Sequence, residues 1–415
     1  MDTGTTAFML CCIIGLTIMI PGLALFYGGM VSVKSSTNMM MMMTYGAVAV
    51  VGVLWVLFGF SMAFGTSYGG FVGSFTEFAG MKNLLDPMTT INGLPVSLFA
   101  LFQALFAALT VAIVSGAAAD RMKFAAWMTF ATAWAILVYF PVAHWVFAVD
   151  GVVTSDAKGG WIANKLHAID FAGGTAVHIN AGAAALAVAL VLGRSATWSS
   201  RKPHNVPLIL LGAGLLWAGW YAFNGGSALS AGKPAAIVMV TSFVATCAAT
   251  LGWLLVEKFK DGHVTGIGAA SGAITGLVAI TPACGAVTPV GAIFVGFIPA
   301  VICPFAIGLK HKFGYDDSTD VVGVHLVGGI VGTLLIGFFA SSGMPNGVNG
   351  LLYGGGADLL LKQAVAAGSV LAYSFTVALV IALVIKKMMG LRISAEEEEE
   401  GIDSTLHRDP AYELV

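Results

Sequence analysis

The chain is short of charge. Only 10% of its 415 residues are Asp, Glu, Lys or Arg, against about 25% in a soluble globular domain. Water cannot solvate the surface of an ordinary soluble fold carrying so few charged groups, so that class is excluded. Cysteine is scarce and unpatterned. Cys11, Cys12, Cys247, Cys284 and Cys303 lie in or beside apolar runs, with no CxxC or Cys/His spacing. No disulfide framework, metal site or cofactor is therefore expected, and the thiols read as small buried hydrophobes. There is no nucleophile–base constellation either, so the chain is not expected to be an enzyme. A net charge of −2 argues for no particular partner, and nucleic acid is not expected among them. Basic residues are also missing ahead of the first apolar stretch, which only Asp2 precedes and which ends in Pro-Gly and FYGG. That stretch reads as a retained helix and not as a cleaved signal peptide.

What the chain does have is apolar length. Hydrophobic residues make up 58% of it, and its 53 glycines suit the close helix packing found in lipid. Eleven apolar runs have centres near Ile18, Val53, Ala108, Ala135, Ala185, Leu215, Ala245, Ala273, Gly296, Gly332 and Val377. Each is roughly 18 to 25 residues, the length needed to cross a hydrocarbon core of about 30 Å. The predicted fold is an all-α polytopic membrane protein with eleven transmembrane helices, the Gly-rich eighth being the most weakly bounded. Basic residues test this count. Fourteen of the nineteen Lys and Arg fall in segments following odd-numbered runs, Arg194, Arg201 and Lys202 among them. By the positive-inside rule the N-terminus is outside and the C-terminus cytoplasmic, which predicts a multi-pass protein of the cell membrane. Residues 1–390 form the transmembrane domain. Residues 391–415 form a polar tail with five consecutive glutamates, which composition alone reads as solvated and disordered.

An internal repeat crosses this pattern. Phe26-Tyr27-Gly28-Gly29 in helix 1 echoes Phe223-Asn224-Gly225-Gly226 in helix 6, and Asp170-x-x-Gly173 before His178 echoes Asp320-x-x-Gly323 before His325. Five helices followed by five similar ones enter from opposite faces, because five is odd. Helices 1–5 and 6–10 are thus expected to form an inverted repeat with its pathway at mid-membrane. His178 and His325 stand inside apolar helices, where an ionisable residue is costly. One such histidine is as readily structural as functional; two at equivalent places point to a pathway. A neutral imidazole donates through one nitrogen and accepts through the other, which suits a small neutral solute or a relayed proton. Asp170 and Asp320 each precede one of these helices, where a carboxylate caps the free amides. Asp170, on the outer side, has the further possibility of attracting a cation. Phe102-Gln103-x-x-Phe106, Phe147 and Ser227 gather near the outer ends of helices 3, 4 and 6, and such rings can hold a small cation at about 0.5 to 2 kcal/mol each.

Eight segments carry a family likeness: PGLALFYGG, FQALFAALTVAIVSGAAADR, YFPVAHW, DFAGGTAVHINAG, KPHN, GWYAFNGGSA, TPACG and DDSTDVVGVH. In order and over essentially the whole chain, they resemble the Amt/Mep/Rh ammonium transporters, specifically the bacterial and archaeal Amt branch. The resemblance implies a homotrimer with one pore per subunit. It implies an outer ammonium site of Phe106, Ser227 and Phe147 with Phe102 nearby, and a phenyl gate of Phe106 and Phe223 below it. His178 and His325 correspond to paired pore histidines, Trp220 to a lining residue beside them, and Asp170 to an acid that supports the outer site. It further implies docking of a PII-type nitrogen regulatory protein at the cytoplasmic tail, involving Glu396, Glu397 and Glu398. Many relatives carry tryptophan where this chain has Phe147. Phenylalanine offers a weaker cation–π surface and no indole donor, and neighbouring Trp145 is the residue positioned to compensate. The expected mechanism is capture of NH4+ outside, loss of a proton at the gate, and passage of NH3 along the histidines. An ammonium sensor and an Rh-type neutral-solute channel are the alternatives.

Overall fold

The computed structural model describes all residues except 87–89, 92, 197, 199–201 and 413–415. Arg201, counted above among the basic residues, lies outside the described set. Among the described residues, ten helices are long and apolar enough to span a membrane: α1 (Thr3–Met30), α2 (Val33–Phe64), α3 (Val96–Ala117), α4 (Phe124–Phe147), α5 (Gly174–Leu192), α6 (Val206–Gly226), α7 (Lys233–Asp261), α9 (Pro289–Phe313), α10 (Val322–Phe339) and α11 (Asp358–Met388). Between α7 and α9 lies α8 (Gly266–Ile280), apolar but only 15 residues long. The eighth expected span is therefore present as a helix, at less than the roughly 20 residues a full crossing needs. Two short hairpins pair Ser67–Tyr68 with Val72–Gly73 and Thr90–Ile91 with Leu94–Pro95.

The glycines hold the bundle together at specific places. Gly15, Gly22 and Gly29 recur every seven residues along α1 and face α6. A Cβ on Gly15 would stand 2.5 Å from that of Ala222, and one on Gly212 would stand 2.3 Å from the backbone nitrogen of Phe26. Those distances leave no room for a side chain, so α1 and α6 meet backbone to backbone, as small residues allow in lipid. The first helices of the two repeat halves are in this way locked together.

At one end of the bundle the tail folds back over the loops. Residues 391–393 are laid along the α3–α4 loop, with the Lys123 amide donating to Leu391 and the Ile393 amide to Arg121. A short helix, α12 (Ala395–Glu400), opens with a Ser394/Glu397 capping box. Glu398 accepts from the Ala196 amide at 2.8 Å and pairs with Arg392 at 2.5 Å. Asp403 then accepts from the amides of Thr37 and Asn38 at 2.9 and 2.7 Å, within the first turns of α2. The tail is thus bonded to two separate loops and to the first turns of α2. Composition reads it as disordered because these partners are remote in sequence.

Candidate functional site

The two histidines are placed alike. Each lies in a widened π-helical turn, Gly174–Ile179 for His178 and Val322–Val327 for His325. Such turns concentrate at functional sites because they displace a side chain from the regular helical register. Both histidines are buried, and their rings stack with centroids 5.3 Å apart. The Nδ1 atoms face each other at 3.1 Å, so one carries the shared proton and the other accepts it. The Tyr27 hydroxyl stands 3.2 Å from His325 Nε2. At the far end of this chain His178 Nε2 is buried without a protein partner. Two proton placements satisfy the chain, and they differ only in which way each bond points. In one, His178 presents an N–H into the cavity; in the other it presents a lone pair.

The cavity beside the histidines is narrow, about 20 Å³, room for roughly one water-sized molecule. Apart from His178, His325 and the Trp220 ring, apolar side chains including Leu109, Ile113, Leu216 and Ile274 line it. Trp220 stacks on His178 at 5.5 Å, and its indole donates to the Thr281 hydroxyl at 2.9 Å. The bond turns the polar edge of the indole away from the cavity and leaves its face inside.

Above it, toward the end away from the tail, Phe106 and Phe223 stack at 4.0 Å with planes 21° apart. Phe106 also meets Phe147 edge-on at 6.2 Å. These rings separate the narrow cavity from an outer one of about 260 Å³, whose walls include Gln103, Phe106, Phe147, Asp170, Ser227 and Asn346. The structure thus brings Phe106, Phe147, Ser227 and Asp170 together in one cavity. Phe102 does not line it. It is fully buried behind Phe106 at 4.9 Å, its ring filling the space over Gly226. Trp145 does not line the cavity either. Its indole donates to the Phe71 carbonyl at 2.7 Å and packs among Phe71, Trp161 and Tyr373, outside the cavity wall.

Asp170 spends its carboxylate on α5. It accepts from the amides of Gly173, Gly174 and Thr175 at 2.7 Å each, from Ala176 at 3.3 Å, and from the Thr175 hydroxyl at 2.5 Å. The counterpart of this cap in α10 is Asp317, which accepts from the Val321 and Val322 amides at 3.1 and 2.7 Å. Asp317 precedes His325 by eight residues, as Asp170 precedes His178. Asp320 instead pairs with Lys310 at 2.6 Å. The matched D-x-x-G spacing pointed to the wrong aspartate; the distance to the histidine was the usable signal. Asn346 was also missed, since it comes from a loop remote in sequence; Phe171, another wall residue, directly follows Asp170 and was missed because no pattern marks its ring.

On the tail, Glu397 is engaged in its capping box and Glu398 with Arg392 and Ala196. Glu396, like Glu399 and Glu400, has an exposed side chain. Among the described residues no group of three or more His, Cys, Asp or Glu is arranged to hold a metal ion.

Comparison with known proteins follows the same geometry. The family model described as Ammonium Transporter Family matches residues 7–412. A protein of Mycobacterium tuberculosis named ammonium transporter is 52% identical over 437 residues, covering 100% of this chain and 91% of its own. The crystal structure of Saccharomyces cerevisiae Mep2 superimposes with a TM-score of 0.85 at 32% identity, over 95% of this chain and 88% of that one. A structure titled Sensor Amt Protein gives 0.89 at 27% identity, over 97% and 98%.

Proposed function

The chain belongs to the Ammonium Transporter Family, and from that premise we propose that it carries ammonium across the cell membrane as NH3. NH4+ is captured in the outer cavity by the Phe106 and Phe147 faces and the Ser227 hydroxyl. It loses its proton at the Phe106–Phe223 gate, and NH3 passes the histidines toward the tail side, which is cytoplasmic in this reading. The observation that carries the reading is the contrast between the two cavities. The outer one is roomy and rimmed by polar groups, while the inner is close to molecular width and apolar except for one pair of imidazoles. A cation is strongly disfavoured in such a passage at mid-membrane, whereas a neutral amine able to donate and accept hydrogen bonds is not. Potassium cannot shed its charge and is excluded by the same barrier.

The hydrogen-bonded series Tyr27–His325–His178 supports a second element, passage of the released proton through the pair to the tail side. There it rejoins NH3 and leaves one net charge transferred. Purified protein in liposomes on a supported membrane tests both. An ammonium pulse is expected to give ammonia flux together with a transient current, and a potassium pulse neither. Flux without current would remove the proton relay; absence of flux would sink the transport reading. The functional unit in this reading is a homotrimer, checked by mass photometry in detergent. A PII-type regulator would meet the exposed Glu396, with Glu397 and Glu398 shaping the tail behind it.

A further inference from the structure

Gln103 lies in α3 one turn before Phe106, so both side chains reach the same stretch of the outer cavity wall. Its residue is only 7% exposed, and its Oε1 has no hydrogen-bond partner in the protein. A buried amide oxygen left without a donor costs on the order of 1 to 3 kcal/mol, so such an atom on a residue that lines a cavity is a place where a donor belongs. The other polar groups are differently occupied. The Asp170 carboxylate accepts four amides and a hydroxyl. The Ser227 hydroxyl donates its hydrogen to the Phe223 carbonyl at 2.8 Å, which leaves its lone pairs free to accept. Asn346 is half-buried, on a loop following α10.

Resting on the transport reading above, we propose that the Gln103 carbonyl oxygen is a ligand for the captured ammonium ion and sets its affinity. NH4+ has four N–H donors arranged tetrahedrally. The cavity offers acceptors of two kinds: the faces of Phe106 and Phe147, and the side-chain oxygens of Ser227, Asn346 and Gln103. With phenylalanine at 147 and Trp145 turned away, the amide supplies the polar contact that the aromatic wall lacks. The pattern also discriminates. A bare alkali cation of similar size prefers a fuller shell of oxygens than Ser227, Asn346 and Gln103 provide. Ammonium needs only one acceptor per N–H.

Kinetics of ammonium-driven flux in proteoliposomes test the assignment, with each variant checked for monodispersity and melting temperature. Gln103→Leu is expected to raise KM about tenfold with Vmax within twofold, the size of one hydrogen bond to a charged group. Gln103→Glu, which restores an acceptor oxygen at the same reach, is expected to bring KM back to within about threefold of the parent. If the leucine variant does not fold, Gln103→Ala serves as the acceptor deletion. An unchanged KM in the deletion variant overturns the proposal. So does a KM equally raised in the glutamate variant, or a loss confined to Vmax. A parent protein without ammonium flux would instead sink the transport reading itself, whereas an active parent with an unmoved KM sinks the Gln103 assignment alone.

Discussion

In α5 a carboxylate stands eight residues before the histidine, and in α10 another stands eight before its own, yet the two are loaded differently. Asp170 gathers five hydrogen bonds at the rim of a cavity of about 260 Å³. Asp317 gathers two amides in a site that is 1% exposed, near Asp320 and Lys310. Their histidines differ in the same sense. His178 keeps a nitrogen without a protein partner, while His325 has its outer nitrogen beside Tyr27. A repeat therefore supplies matched backbones, and the surroundings divide the labour. The half with the open cavity leaves a histidine nitrogen unpartnered; the half nearer the tail holds its histidine against Tyr27.

Removing the caps breaks the comparison most severely. Asp170→Ala strands four amides and a hydroxyl, and is expected to cost about 3 kcal/mol or more, because buried donors lose a charged acceptor. Asp317→Ala, with two amides stranded, is expected to cost less. Melting curves in detergent measure the difference, and equal losses would show that the caps are energetically equivalent. Exchanging the histidines comes next. His178→Ala is expected to abolish current and reduce ammonia flux at least tenfold, since it removes the group that meets the solute first. Equal flux and current in parent and variant would remove the histidine from the mechanism.

A smaller effect sharpens the outer half. Phe147→Trp adds a stronger π face at the cavity and is expected to lower the KM for ammonium about threefold without changing Vmax. A smaller one still probes the inner half. Burial, with Asp320 nearby, pushes the Asp317 carboxyl up to about 7. A carboxyl that holds its proton more tightly when folded than when unfolded adds stability at low pH, and that contribution is lost as pH rises through about 7. The melting temperature of the parent is expected to decline between about pH 4, where the unfolded carboxyl titrates, and about pH 7 on this account, and Asp317→Asn to flatten that slope. An identical slope in both proteins would assign the titration elsewhere.

Much of the pathway could be read from the chain because membrane helices are simple to recognise. Apolar runs, basic loops and a repeated motif place His178 and His325 in two spans before any coordinate is known. Phe106 and Phe223 were legible through their segments, and they stack as the likeness implied. Legibility ended where a side chain must choose between two directions. Phe102 and Phe106 are four residues apart on one helix, and only packing decides that one lines the cavity while the other fills the space over Gly226. Trp145 and Phe147 diverge for a similar reason, since the Phe71 carbonyl claims the indole. In the α10 cap the motif favoured Asp320, but Lys310 binds that residue and leaves the amides to Asp317.

By itself the sequence determined the solvent this protein lives in, most of its spans, the identity of the histidine pair and the family. These follow from composition and local order, because lipid requires each span to bury its own backbone hydrogen bonds. Only the tertiary structure decided that the two imidazoles meet through Nδ1, that the tail is bonded to two loops and the first turns of α2, and that Gln103 lines the outer cavity with its Oε1 left without a partner. Those are contacts between groups tens to hundreds of residues apart, and no local pattern encodes which of several polar atoms will find a partner and which will be left for a ligand.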